Sequence, residues 1–182
     1  MSLSFVGAPR VDPEAHDTEA LVAAAKSGDR AAFAALYRQF ARMVHGVVLA
    51  RVPYADVDDL VQDVFVSALE RLTSLREHAA FPGWLAAIAR NRAVDHLRRT
   101  PPHGELPDSI ASPPQDTTNA LAVLEIVRQL PDAYRETLTL RLVEGMTGPE
   151  IAARTGLTPA SVRVNLHRGM KQLRSRLEGR RA

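Results

Sequence analysis

No cysteine occurs anywhere in the chain. Disulfides, thiolate zinc sites and thiol redox sensing within it are therefore excluded, and a cytoplasmic location is the natural expectation. No run of ~20 apolar residues exists, so no segment is expected to insert into a membrane. The start, MSLSFVGAPRVDPEAHD, lacks a basic segment followed by an apolar core and does not read as a secretory signal. Aromatics are scarce, at 5%, while Ala, Leu, Val and Arg dominate, which favours helices. Catalytic signatures are missing too. There is no G-x-S-x-G and no glycine-rich phosphate loop, and His16, His45, His78, His96, His103 and His167 show no pairing at metal-ligand spacing. No enzyme, catalytic residue, metal or other cofactor is expected.

What is present is charge, unevenly spread. Counting Lys/Arg against Asp/Glu, residues 19–99 carry 11 against 9, residues 100–116 carry 0 against 3, and residues 117–182 carry 11 against 6. The basic excess sits in the C-terminal part, as suits a nucleic-acid module.

That part holds the most informative stretch, Gly145 to Leu177. Thr147 and Glu150 form a T-x-x-E capping box with Pro149 inside the first turn, so a helix is expected to start at Thr147. Gly156 ends it, because glycine takes the left-handed conformation most easily. Thr158 then caps a second helix with Pro159 at its first position. Val162, Leu166, Met170, Leu173 and Leu177 repeat at helical spacing and should face the core. Ala160, Val164, Arg168 and Lys171 fall opposite, flanked by Ser161, Arg163 and His167. A short helix, a glycine turn and a helix basic on its free face make a helix-turn-helix for major-groove reading. The plainer reading is a helical hairpin with a solvated basic face.

Upstream, residues 1–17 read as a disordered tail. A helix begins near Thr18 and breaks at Ser27-Gly28, and Asp29 caps the next, with an apolar stripe running to about Arg51. Asp56 is expected to cap a third helix, DVDDLVQDVFVSALERL, whose outer face gathers Asp58, Asp59, Gln62, Asp63 and Glu70. Acidic residues in a first turn suit the helix dipole. Four aspartates and a glutamine within eight residues exceed that need and suggest a docking face. The segment TSLREHAAFPG reads as a loop, followed by a fourth helix from Trp84 to about Arg99 with Leu85, Ile88, Ala89, Ala93 and Leu97 inward. Asn91, Arg92, Asp95, His96, Arg98 and Arg99 face outward, a surface able to meet phosphate and base edges. Trp84 could stack on an unpaired base but reads more readily as core, and Phe81 is similarly ambiguous. Residues 100–118 hold five prolines and no apolar period, hence a linker. Two helices follow, broken at Pro131-Asp132, the second presenting Tyr134, Leu138 and Leu142. The fold class expected is all-α: two small helical domains, 18–99 and 119–182, joined by a flexible Pro-rich linker at 100–118, the C-terminal one a helix-turn-helix.

In this order GDRAAFAALYRQF, DVDDLVQDVF with FPGWLAAIARNRAVDHLRR, and LPDAYRETLTLRLVEGMTGPEIAARTGLTPASVRVNLHRGMKQL resemble the extracytoplasmic-function (ECF) sigma factors, bacterial transcription initiation factors. The resemblance implies that residues 18–99 are a sigma region 2 domain and 119–182 a sigma region 4 domain. It implies docking of the third helix on the β′ clamp helices of core RNA polymerase, through Asp56, Asp59, Gln62, Asp63 and Phe65. It implies −10 recognition and strand holding by Ser74, Arg76, Phe81, Trp84, Arg90, Asn91, Arg92, Asp95 and Arg98. The −35 element would be read by Thr158, Ala160, Ser161, Arg163, Val164, His167, Arg168 and Lys171. Further implied partners are promoter DNA, the polymerase β flap and an anti-sigma factor. The linker, with Glu105, Asp108 and Asp116, would thread the RNA exit path. Relatives often carry serine at the place of Val164 and arginine at that of Asn165, and a valine can touch a thymine methyl but cannot donate a hydrogen bond.

Two other functions fit parts of the pattern. A one-component regulator would bind a palindromic operator as a dimer without polymerase and carry an apolar ligand pocket. A recombinase-like enzyme would need a nucleophilic Ser or Tyr among clustered arginines, and Tyr37, Tyr54 and Tyr134 all lie in or beside apolar patterns.

Overall fold

The structure, a computed structural model, describes residues 18–99 and 115–179. The tail expected at 1–17 and most of the expected linker, with Glu105 and Asp108, lie outside the described residues. Among the described residues the chain is all-α, in the order α1 (Thr18–Lys26), α2 (Arg30–Leu49), α3 (Val57–Arg71), α4 (Phe81–Arg99), α5 (Gln115–Arg128), α6 (Asp132–Leu142), α7 (Gly148–Thr155) and α8 (Pro159–Gly179). The end of the expected linker, including Asp116, falls in the first turn of α5.

The long helix α2 organises the first half. Asp29 caps it, its Oδ1 accepting from the Ala31 and Ala32 amides at 2.8 and 3.1 Å. Leu36, Phe40, Met43, Val44, Val47 and Val48 are all essentially inaccessible. They pack on Val57, Val61 and Val64 of α3 and on Leu85, Ile88 and Ala89 of α4. Full burial of each such aliphatic is worth ~1.5–3 kcal/mol, enough to hold three helices together. In the second half a smaller core of Ile126, Val127, Leu130, Leu138 and Leu173 joins α5, α6 and α8.

The halves are not separate in this structure. Leu140, Met146, Ile151, Ala152 and Val162 belong to the same buried cluster as Phe40 and Leu85. Helix α6 lies on α2, and α7 on α4. Covered on both sides, α6 buries five consecutive residues, Glu136 to Leu140. Its hydroxyls turn inward without loss because Thr137 Oγ1 donates to the Ala133 carbonyl at 2.8 Å and Thr139 Oγ1 to the Arg135 carbonyl at 2.9 Å.

Local expectations change at four places. Helix α4 begins at Phe81 and not Trp84, since Pro82 fits a first turn whose amides lack intrahelical partners. Two 3-10 turns, Leu72–Ser74 and His78–Ala80, shape the loop before it. Asp56 makes no cap hydrogen bond; its Oδ2 meets His96 Nε2 at 3.1 Å. Leu97 and Leu142, expected inward, are 46% and 48% exposed, each in the last turn of its helix.

Candidate nucleic-acid interface

The helix-turn-helix is built by the local chemistry its residues dictate. The Thr147 amide donates to Glu150 Oε2 at 2.6 Å, and the Glu150 amide donates to Thr147 Oγ1 at 3.4 Å, a reciprocal capping box. The backbone amide and hydroxyl of Thr147 hold the Glu150 carboxyl below its usual pKa. Gly156, at φ +74°, closes α7, its amide donating to the Ala152 carbonyl at 3.1 Å. The Ser161 amide donates to Thr158 Oγ1 at 3.1 Å and starts α8. Val162 and Leu173 pin α8 inward at 1% and 3% exposure. Gly169 lets it approach α6, since a Cβ there would stand 3.0 Å from Leu138 Cδ1. The outward face then presents Thr158, Ala160, Ser161, Arg163, Val164, His167, Arg168 and Lys171, every one exposed. Arg174 continues it one turn on, beside a shallow groove lined by Leu166, Met170 and Ser175. That face combines hydrogen-bonding tips, a methyl-bearing Val164 and three cations, which is what reading base edges and gripping phosphate require.

Helix α4 offers a second face. Asn91, Asp95 and Arg98 are exposed along one side, Arg92 is half-buried, and Arg76 and Ser74 are exposed in the preceding loop. Ser74 Oγ donates to the Arg71 carbonyl at 2.6 Å. Three residues assigned to this surface lie elsewhere. Phe81 is fully buried, edge-on to Phe40 at 5.3 Å, so it supports the loop instead of meeting a base. Trp84 is half-buried against the same core, 5.8 Å from Phe81. Arg90 points to α6, where its Nε and Nη2 donate to the two carboxylate oxygens of Glu136 at 2.9 and 2.8 Å. The Glu136 hydrogen bond raises the Arg90 pKa against the effect of burial. Burial would raise the Glu136 carboxyl, but Arg90 and Arg51 outweigh it and the carboxyl is held below its ordinary value.

On α3, Asp59, Gln62 and Asp63 are exposed in one stripe. Phe65, expected in that stripe, is only 4% exposed and packs on Tyr37 with ring centroids 4.5 Å apart, so it belongs to the core. Sequence reasoning missed Val66 and Leu69, which stand 56% and 52% exposed and continue the acidic stripe. Their signal was available: both fall out of phase with the buried positions Val57, Leu60, Val61, Val64 and Ala68. Among the described residues no group of His, Asp or Glu is arranged to hold a metal ion, and no helix is long and apolar enough to cross a membrane.

Comparison with known proteins follows the same division. The family model described as "Sigma-70 region 2" matches residues 36–101, and that described as "Sigma-70, region 4" matches residues 120–173. The chain is 29% identical to the ECF RNA polymerase sigma-E factor of Escherichia coli (strain K12), over 88% of this chain and 94% of that protein. It is 30% identical to the ECF RNA polymerase sigma factor BldN of Streptomyces coelicolor, over 91% of this chain and 67% of that one. The solved structure of CnrH in complex with the cytosolic domain of CnrY superposes with a TM-score of 0.63 at 28% identity, over 89% of this chain and 97% of CnrH.

Proposed function

Because the chain belongs to the ECF RNA polymerase sigma factors, we propose that its acidic α3 docks on core polymerase while α4 and α8 bring that polymerase to the −10 and −35 elements of particular promoters. The observation that carries this reading is the pair of matched regions, in order, each presenting an exposed polar helix face. On α3, Asp59, Gln62 and Asp63 with Val66 and Leu69 give an apolar strip edged by negative charge, suited to a basic, partly apolar helical partner. On α4, Asn91, Arg92 and Arg98 hold the displaced strand, with Arg76 and Ser74 beside it. Extruding a base from the duplex costs a few kcal/mol, which contacts in the loop before α4 must offset. On α8, Arg163, Val164, His167 and Arg168 face the major groove and Lys171 the flanking phosphates. The β flap is the further polymerase contact expected for the C-terminal domain. CnrH is seen bound to the cytosolic domain of CnrY, which supports a protein partner of the anti-sigma kind for this chain also.

Reversing Asp59 and Asp63 to Lys tests the docking. Both are exposed, so fold stability should hardly change, while co-elution with core polymerase is lost. Co-elution at the wild-type level with unchanged circular dichroism would refute the assignment. A gel shift with and without core polymerase addresses the operator-binding regulator: tight, dimeric, polymerase-independent binding to a palindrome would replace the sigma-factor reading.

A further inference from the structure

The loop before α4 consists of two 3-10 turns joined by an extended link, Leu75 to Glu77. Leu75 leaves the first turn at φ −71°, ψ 111°, and Glu77 enters the second at φ −98°, ψ 110°. In extended backbone, successive side chains point to opposite sides. Leu75 goes inward, at 6% exposure, so its neighbours Ser74 and Arg76 go outward. The Ser74 hydroxyl donates to the Arg71 carbonyl and keeps its oxygen lone pairs for an incoming donor. Arg76 adds a cationic fork.

An extended link has no helical ladder to fix its direction. The Leu75 amide is satisfied by the Leu72 carbonyl at 3.1 Å. The Leu75 carbonyl receives Lys26 Nζ at 2.6 Å, from the last residue of α1, 49 positions earlier. A lysine at a helix C-terminus ordinarily serves the dipole. Here the last carbonyls of α1 already accept from the Ser27 and Gly28 amides, and the ammonium reaches away from them to the loop. The bond is charge-assisted, which makes it stronger than a neutral one. Helix α1 is a firm anchor for it. Val22 and Ala25 bury α1 against the core, Gln39 Nε2 of α2 donates to Thr18 Oγ1 at 2.9 Å at its other end, and both 3-10 turns lie against it.

We propose that Lys26 is a positioning residue for reading the −10 strand: by holding the Leu75 carbonyl, it fixes the direction in which Ser74 and Arg76 meet an extruded base. It acts through the loop and not by contact with the strand. Without the ammonium the carbonyl turns to water and the link samples other directions. Affinity for the extruded base then falls with the fraction of chains whose loop is set correctly. The part played by the loop rests on the sigma-factor reading above; the hold on its backbone does not.

Two variants test the role. Lys26→Met keeps an unbranched apolar stem and removes the donor, whereas Lys26→Arg keeps a cationic donor. In the free chain, trypsin cleavage after exposed Arg76 reads the loop directly. It should be roughly tenfold faster in Lys26→Met, about the weight of one hydrogen bond to a charged group, and near the wild-type rate in Lys26→Arg. With core polymerase, Lys26→Met should co-elute and protect the −35 region as the wild type does. Its permanganate reactivity at −10 should fall several-fold, and its preference among bases at the extruded position should flatten. Lys26→Arg should restore both. Wild-type cleavage after Arg76 in Lys26→Met would overturn the hold on the loop. Faster cleavage with unaltered −10 opening and preference would overturn the positioning role. Core binding and −35 protection lost in parallel with opening would overturn it too, since that is what a merely weakened fold produces. If the wild-type chain itself directs no promoter-specific transcript, the sigma-factor reading falls and the role at −10 with it, while the cleavage rates still decide the hold.

Discussion

Helices α8 and α4 are the two elements assigned to DNA, and they meet the rest of the molecule in opposite ways. Helix α8 buries one face in its own domain and leaves the other wholly to solvent, so every residue assigned to DNA there is exposed. Helix α4 is enclosed on more sides: it packs on α2 and α3 and takes α7 across its first turns. Its polar residues divide accordingly, Asn91, Asp95 and Arg98 outward and Arg90 into the seam between the two halves, with Glu136. A helix with one neighbouring layer shows its function in its sequence period. A helix with two layers gives some of its charged residues to the second, and the period alone does not say which.

The contact that links the two helices is the point at which both are most easily disrupted. Gly156 makes the turn before α8 and also touches Gly83 of α4. Valine there would adopt φ +74° at a cost of roughly 1–3 kcal/mol, and its Cβ would strike the Gly83 backbone at 2.9 Å. Gly156→Val should therefore lose more than about 3 kcal/mol in chemical denaturation and shift the fluorescence of Trp84, which packs nearby on Phe81. A loss below about 1 kcal/mol would mean that the turn relaxes and that the Gly83 contact is not required.

A smaller effect separates the two sides of α4. Arg90→Ala strips Glu136 of its bidentate partner and leaves it to Arg51, which should cost roughly 1–3 kcal/mol of stability, the usual worth of hydrogen bonds to a charged group. Asn91→Ala with Arg98→Ala, both exposed, should leave the melting temperature within about a degree or two of wild type. The Asn91/Arg98 pair should weaken promoter opening, read as permanganate reactivity of the −10 strand. Normal opening by the Asn91/Arg98 pair would turn that face back into an ordinary solvated one.

Legibility followed the same layering. The capping box at Thr147 and Glu150, the glycine stop at Gly156 and the Asp29 cap were readable because each is a local hydrogen-bond pattern within a few residues. The burial of Glu136 was not. It depends on α2 covering a face of α6 that would be solvent-exposed in the isolated domain, and no periodicity announces a partner so distant in sequence. Phe65 and Phe81 were misplaced for a related reason. Resemblance to a family carries a site as a neighbourhood, while aromatic burial is settled by contacts such as Phe65 on Tyr37 and Phe81 on Phe40. Asp56 looked like a cap and instead meets His96, 40 residues away.

Along α8, base reading and phosphate anchoring are expected to fall to different arginines. Arg168 lies on the exposed face opposite Leu166, and Arg174 stands nearer the C-terminal end, beside Ser175. A bidentate arginine–guanine pair is worth ~1–3 kcal/mol of discrimination, whereas a phosphate contact weakens all sequences alike. Arg168→Ala should thus relax preference at one −35 position. Arg174→Ala should lower binding evenly and flatten its salt dependence. The measurement is selection from a −35 library by the full chain with core polymerase at several salt concentrations. Uniform loss in Arg168→Ala would make that residue a phosphate clamp and rotate α8 in the groove.

The seam should also carry a weak pH dependence that α8 lacks. His45 of α2 makes a 2.6 Å hydrogen bond through Nδ1 to Glu144 Oε1. That bond raises the His45 pKa above 6.5 against the opposing effect of partial burial, with Glu144 and Asp58 adding electrostatic attraction. Arg42, 3.8 Å from the other Glu144 oxygen and largely exposed, competes only weakly. Since the folded pKa lies above the unfolded one, this contribution is complete below about pH 6.5 and is lost as pH rises through the raised value. His45→Gln should therefore be less stable than wild type at pH 6, and the gap should narrow by pH 8.5. The imidazole is half-buried, so a gap of well under about 1 kcal/mol is expected. Paired thermal melts across that range, with Arg168→Ala as the control from α8, decide the point. A gap between His45→Gln and wild type that stays constant with pH would make the His45–Glu144 contact a neutral hydrogen bond and remove it from the charges that hold the two domains together.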